Sequence, residues 1–262
     1  MSKKIIITSL LIVAAAVGYY YLSPTLKASR AVELLVDRNI EARGGLDNWK
    51  NVTALHTTGQ MDVGKGITLP YVLDQQRPNK MCFEFLFDKK ATIQCSNGKS
   101  GWKVVPFRNR SAPETMTEND LREAADSADL YGLLYDYASR GNTIEILGHE
   151  IIDDRDVTKL KITLPLGAVR WLYLDSETAL EVKLESMREV RGKLRRVETF
   201  YQDWRETDEG LLISYRQESK TEGDDQFHFI TVEQVDVNPE FESTRFDMPT
   251  NNDKPASGKE TQ

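Results

Sequence analysis

The residues able to do chemistry are few and scattered. His56, His149 and His228 lie in three separate segments, each alternating between apolar and polar residues, and no two have a metal-ligand spacing. A metal centre needs several histidines, cysteines or carboxylates converging on one point. These three therefore read as surface or hydrogen-bonded histidines, and neither a metal nor a cofactor is expected. Asp153-Asp154 and Asp224-Asp225 are acidic pairs among turn residues. A solvated turn outweighs calcium binding as their reading. No glycine-rich phosphate loop, serine nucleophile elbow or zinc motif occurs, so a non-catalytic protein is the expectation.

Two other groups of side chains could bind rather than catalyse. Phe83, Phe85 and Phe87 recur at period two, and Trp102, Trp171 and Tyr173 stand in other segments. Together they would line either a ligand cavity or a sealed core, because period-two aromatics mean only that one face is dry. Arg188, Arg191, Lys193, Arg195 and Arg196 crowd one hairpin of an acidic chain, with 34 Lys and Arg against 41 Asp and Glu and a net charge of −7. They read as a solvated tip or as a docking patch for an acidic partner or anionic headgroups. The overall charge excludes nucleic-acid binding by the surface as a whole.

The cysteines depend on the compartment. Lys3 and Lys4 precede an apolar run from Ile5 to Leu22, the pattern of an export signal. Ala14-Ala15-Ala16 or Ala16-Val17-Gly18 would be a cleavage site. Alternatively the run stays as an inner-membrane anchor: at ~1.5 Å per residue it spans roughly 27 Å, with Tyr19 to Tyr21 at the far interface. Either way the remainder is exported to a compartment that permits disulfides. If Asp88-Lys89 is a two-residue turn, Cys82 and Cys95 face each other within bonding reach. A three-residue loop would instead turn Cys82 to the opposite face. The two-residue turn is preferred because it leaves no unpaired thiol in an oxidising compartment.

The elements that would position these residues follow from pattern. Hydrophobic residues make up 40% of the chain, enough for a sizeable core. Ser23-Pro24 reads as a helix start, and Gly44-Gly45 as its end. Period-two segments then run from Leu55 to Val105, with turns at Gly64 to Gly66, Arg77 to Asn79, Asp88-Lys89 and Asn97-Gly98. Met116 to Leu121 reads as a capping box with a hydrophobic staple, Thr117 capping and Asp120 at N3. A helix to about Ala125 and a second over Leu130 to Ser139 are expected, and strands resume from Thr143 to Val237. The fold class is mostly β (α+β): a single curved antiparallel sheet or incomplete β-barrel of about ten strands, with an N-terminal helix and a helical insertion as lid. Residues 1–22 are the signal peptide or anchor, 23–250 one domain, and 251–262 a polar, disordered tail.

The order of these elements resembles the LolA-like fold of outer-membrane lipoprotein-sorting proteins. The matching residues are Ala42-Arg43-Gly44-Gly45, Arg77-Pro78-Asn79-Lys80-Met81 and Asn97-Gly98-Lys99-Ser100-Gly101-Trp102. Gly141 and Gly148 about the strand Thr143 to Leu147, Tyr173-Leu174-Asp175 with Thr178, and Phe246-Asp247-Met248-Pro249 complete the series. The resemblance spans roughly Lys27 to Pro249. It implies an open half-barrel with helices over its concave face, a cavity that shelters acyl chains, and a periplasmic location. The expected function is thus a periplasmic carrier or chaperone holding a lipid acyl chain or lipoprotein lipid. The alternative is an envelope regulatory or scaffold protein of the same fold, working through contact with a protein partner.

Overall fold

Alternation of apolar and polar residues, punctuated by residues that accept left-handed backbone, yields thirteen antiparallel strands among the described residues. The computed structural model describes residues 29–64, 66–106, 110–190 and 192–249. The export segment, the polar tail and Arg191 lie outside them. The contacts fall into two units.

The first unit comprises residues up to Ala42 together with Leu134–Val182. Its described part begins with helix α1, residues 29–42, and carries the strands β7 (Thr143–Ile152), β8 (Arg155–Thr163) and β9 (Val169–Asp175), paired in the order β9-β8-β7. Val32, Leu35 and Val36 of α1 are buried, as are Leu160, Ile162, Leu172 and Leu174. Asn39 Nδ2 donates to the Ala179 carbonyl at 2.9 Å, and Arg38 donates to the carbonyls of Ser176 and Glu177, which ties the helix to the turn after β9. The β7–β8 turn is Asp153-Asp154, both left-handed at φ 47° and 62°. The acidic pair is therefore a two-residue hairpin turn.

The second unit, Arg43–Leu133 with the chain from Lys183 onward, holds most of the sheet. Its strands are β1 (Ala54–Asp62), β2 (Thr68–Gln76), β3 (Lys80–Phe87), β4 (Lys90–Ser96), β5 (Gly101–Val105), β6 (Arg110–Thr115), β10 (Glu181–Val190, its first two residues in the other unit), β11 (Lys193–Glu206), β12 (Leu212–Thr221) and β13 (His228–Val237). They pair in the order β6-β5-β4-β3-β2-β1-β13-β12-β11-β10. Strand β6 stands at an edge, paired with β5 alone, so this is an open sheet. Pro113 sits on it, as befits an edge strand.

Two expectations need correction. The strand count is thirteen rather than about ten, in part because β6 (RSAPET) has no apolar alternation to betray it. Leu130 to Ser139 is bends and turns, not a helix: Gly132 (φ 77°) and Asp136 (φ 49°) are left-handed and interrupt any helical ladder. Leu46–Asn51, which carries the buried Trp49, forms a further short helix, α2.

The remaining helix, α3 (Glu118–Ala128), runs slightly past its expected end and is started by the expected capping box. Thr117 Oγ1 accepts from Asp120 N at 3.2 Å, and Asp120 Oδ2 accepts from Thr117 N at 2.8 Å. Met116 and Leu121 join one apolar cluster. Gly44 ends α1 left-handed at φ 110°, and a side chain there would collide with the Gly210 carbonyl. Only glycine satisfies both demands.

Candidate functional site

Strand geometry decides which side chains can act together, since residues facing each other across a ladder share a face of the sheet and sequence neighbours do not. In the second unit Tyr71 faces Phe85, and Leu73 faces Phe83. Met81, Phe83, Phe85 and Phe87 thus lie on one face with Tyr71 and Leu73. The rings form a chain: Tyr71 to Phe83 is 5.6 Å between centroids and Phe83 to Phe85 is 6.0 Å. Both distances suit tilted aromatic pairs.

Helix α3 packs on this face at one end. Ala124 and Ala128 cluster with Met81 and Met116, against Leu73, Phe83 and Leu121. Asp120, besides capping the helix, accepts from Lys103 Nζ of β5 at 2.7 Å. Burial opposes its charge, but the bonds from Lys103 and Thr117 prevail and hold its carboxyl below the usual carboxylate range. The three phenylalanines stay only half-buried, whereas Tyr71 is buried. Burial, followed by the charge of Glu233, pushes the Tyr71 hydroxyl well above its ordinary value and keeps it neutral. Across from Phe85 stands Thr92, buried, its Oγ1 without a hydrogen bond among the described residues.

The opposite face is differently made. Cys82 faces Cys95, and the two form a disulfide, as the two-residue turn requires: Asp88 and Lys89 are left-handed at φ 50° and 58°, and Phe87 pairs with Lys90. Trp102 faces Cys95 and packs with Phe246 against the disulfide. Its Nε1 donates to the Phe246 carbonyl at 3.3 Å. Beside them Asp74 accepts from His56 Nδ1 (2.5 Å) and from Arg245 Nε (2.7 Å), and Arg245 also pairs with Glu84 at 2.6 Å. His56 is thus a satisfied histidine on an ion-pair network that sequence reading missed. Its register with Asp74 was in principle readable from the β1–β2 hairpin; Arg245, 171 residues from Asp74, was not. Of the other histidines, His149 lies 3.5 Å from Asp156 at the surface, and His228 is exposed.

The six expected cavity residues are therefore not brought together as one lining. Phe83, Phe85 and Phe87 share a face. Trp102 is on the other face because Cys95, its partner, has the parity of Cys82 rather than of Phe83. Trp171 and Tyr173 belong to the first unit, where they cluster with Val157, Val182 and Ile152.

The basic hairpin is divided too. Arg188 faces Arg195, and Lys193 lies on the same face two residues on. Arg196 faces Met187 on the other side, where it approaches the buried Glu185 at 3.8 Å. Glu185 in turn pairs with Lys183 at 2.6 Å, and Lys183 with Glu198 at 3.4 Å. Arg191 lies outside the described residues.

No family model and no curated protein matches the chain. Solved structures do. A DUF1329 family protein from Desulfovibrio piger superposes with a TM-score of 0.55 at 12% identity, covering 82% of this chain and 97% of its own. A LolA superfamily protein from Nitrosomonas europaea gives 0.53 at 12% identity, covering 82% and 96%. A structure described as an outer membrane lipoprotein-sorting protein domain, from Vibrio parahaemolyticus, gives 0.52 at 10% identity, covering 81% and 97%. At such identities the likeness establishes the fold, and the fold is LolA-like.

Proposed function

We propose that the protein is a non-catalytic carrier of a lipid acyl chain in the bacterial periplasm, and that the chain lies on the Phe83, Phe85 and Phe87 face of the sheet. The observation that carries this reading is the half-exposed aromatic row beside the buried Tyr71. A contiguous apolar strip still touched by water marks a surface that gains by being covered. A straight hydrocarbon chain suits it, each CH₂ buried contributing about 0.8 kcal/mol, offset by ordering of the chain. Helix α3, seated on the same face, bounds the strip at one end.

The compartment follows from three supports. The apolar run behind Lys3 and Lys4 would direct export. The Cys82–Cys95 disulfide fits an oxidising compartment. The fold is one seen in a lipoprotein-sorting domain, and a lipoprotein lipid is accordingly one form the acyl chain would take. Residues 5–22 would hold the protein at the inner membrane if uncleaved; among the described residues no helix is long and apolar enough to cross a membrane.

The test pairs two measurements on Phe85→Asp: fluorescent fatty-acyl binding and the thermal midpoint. A buried charge without a partner is costly, so binding is expected to vanish while the half-exposed site keeps the midpoint nearly unchanged. A wild-type protein that binds no acyl probe, together with a collapsed midpoint in the variant, would make the row ordinary core.

A further inference from the structure

The β10–β11 hairpin outruns its neighbour. The β11–β12 ladder ends at Val197 and Thr221, whereas β11 goes on pairing with β10 as far as Lys193, opposite Val190. Residues 193 to 196 therefore project past the last β12 pair by about 13 Å, at ~3.3 Å per residue. The turn after β12 reaches the base of this ribbon through Glu222. Its main-chain carbonyl, a neutral group, accepts from Arg195 Nη1 at 2.9 Å, and its carboxylate accepts from the Arg196 backbone N–H at 3.2 Å.

The ribbon is basic in a chain whose net charge is −7. Arg188 and Arg195 stand directly opposite each other with Lys193 on the same face, and Arg196 is on the other face. Against these four cations its described residues, 188–190 and 192–196, hold a single acid, Glu189. Like charges facing each other repel and weaken a hairpin unless something neutralises them. Among the described residues neither Arg188 nor Lys193 has an acidic partner. The tip also holds apolar side chains. Leu194 is 68% exposed on one face, and Val190, next to the turn, lies on the other. Cations and apolar side chains thus occupy both faces. A partner lying alongside the ribbon would meet one face, whereas a surface met end-on meets both.

We infer that this hairpin docks end-on against an anionic phospholipid bilayer, with Leu194 and Val190 entering the interface and the four cations meeting the headgroups. An apolar tip leaves water at the headgroup boundary, and the Lys and Arg behind it are drawn by the negative surface potential. Guanidinium forks match phosphate oxygens, and the lipid charge would relieve the repulsion between Arg188 and Arg195. A free anion would use the cations and leave Leu194 in water. The inference concerns a docking surface and does not depend on what the aromatic row binds.

The experiment puts a nitrobenzoxadiazole dye on Leu194→Cys in the full-length chain, whose own cysteines are both held in the disulfide. Its fluorescence is read with vesicles of phosphatidylcholine, with and without about one third phosphatidylglycerol. The same dye on Met248→Cys is the reference: Met248 is exposed, and its neighbour Asp247 bonds Asn97 in the β4–β5 turn, at the opposite end of the same sheet. Phosphatidylglycerol should brighten the dye at position 194 and not at 248, and added salt should reverse the response. Lys193→Gln should weaken docking about fivefold and Arg188→Gln/Arg195→Gln at least about tenfold, the scale of one and two cations at a charged surface. Neither variant should have a thermal midpoint below that of the unsubstituted chain. A dye at 194 that stays dark with phosphatidylglycerol, or brightens equally with phosphatidylcholine alone, would overturn the docking. So would equal brightening at 248, or a full response in the arginine double variant. Polyglutamate brightening the dye as strongly as the vesicles would overturn the bilayer and assign the hairpin to an acidic protein.

Discussion

Arg245 reaches Asp74 from 171 residues further along the chain, its Nε donating to Oδ2 at 2.7 Å, and so pins the segment after β13 to the face of the sheet that carries the disulfide. Burial works against the Arg245 charge, but Glu84 and Asp74 outweigh it and hold the guanidinium above its ordinary value. Arg245→Met should leave the Asp74 carboxylate, only 4% exposed, without its main cation. We expect a loss of about 3 kcal/mol, the range for breaking a buried pair on one side. Urea unfolding checks this, and adding Asp74→Asn to the variant should recover part of the loss.

The Cys82–Cys95 bridge should leave no thiol free in denatured, unreduced protein. Its loop is short, with a sequence separation of 13. Reduction should therefore cost roughly 3 kcal/mol in the chain-entropy account. Thiol titration before and after reduction, with unfolding curves for both forms, measures it; two free thiols before reduction would refute the bridge.

Asp120 links helix α3 to pH. Its folded pKa lies below the unfolded value of about 3.9. The stability it contributes is fully present above that unfolded value and is lost as pH falls through the lower, folded one. Asp120→Asn should destabilise by about 1 kcal/mol at pH 7 through the weakened cap. Its unfolding midpoint should also fall less than that of the wild type when the pH is taken from 5 to 2. An equal fall in both proteins would assign the acid sensitivity to other groups.

Thr92 presents the reverse case, a buried hydroxyl with nothing to bond among the described residues. Thr92→Val keeps the shape and removes the unsatisfied group, so it should raise stability by about 1 kcal/mol. A variant less stable than wild type would mean that the hydroxyl has a partner, for which a bridging water is the obvious candidate.

The N-terminal segment makes a prediction of its own. If residues 5–22 act as an uncleaved anchor, intact-mass measurement should find the full-length chain in the membrane fraction. A mature form starting at Val17 or Tyr19, found only in the soluble fraction, would make the segment a cleaved signal.

What the sequence determined by itself is what short-range geometry controls. Period-two alternation placed Phe83, Phe85 and Phe87 on one face. The two-residue turn at Asp88-Lys89, preferred because it pairs the two thiols, put Cys82 opposite Cys95, and the left-handed backbone of both turn residues bears it out. The capping box at Thr117 and Asp120 was legible because its partners lie three residues apart. The missing helix over Leu130 to Ser139 marks the limit of such reading: the left-handed backbone of Gly132 and Asp136 leaves no periodic trace.

The tertiary structure alone decided how distant pieces combine. It put Trp102 on the disulfide face with Phe246, divided Arg196 from Arg188, and joined His56, Asp74, Glu84 and Arg245 in one network. It also joined β1–β6 to β10–β13 through the β1–β13 ladder, whose strands are separated by most of the chain. A one-residue slip in that ladder would reverse the faces of one group relative to the other. The register that prevents it is chosen by burial over the whole sheet, a sum over long-range contacts that no local pattern of residues contains.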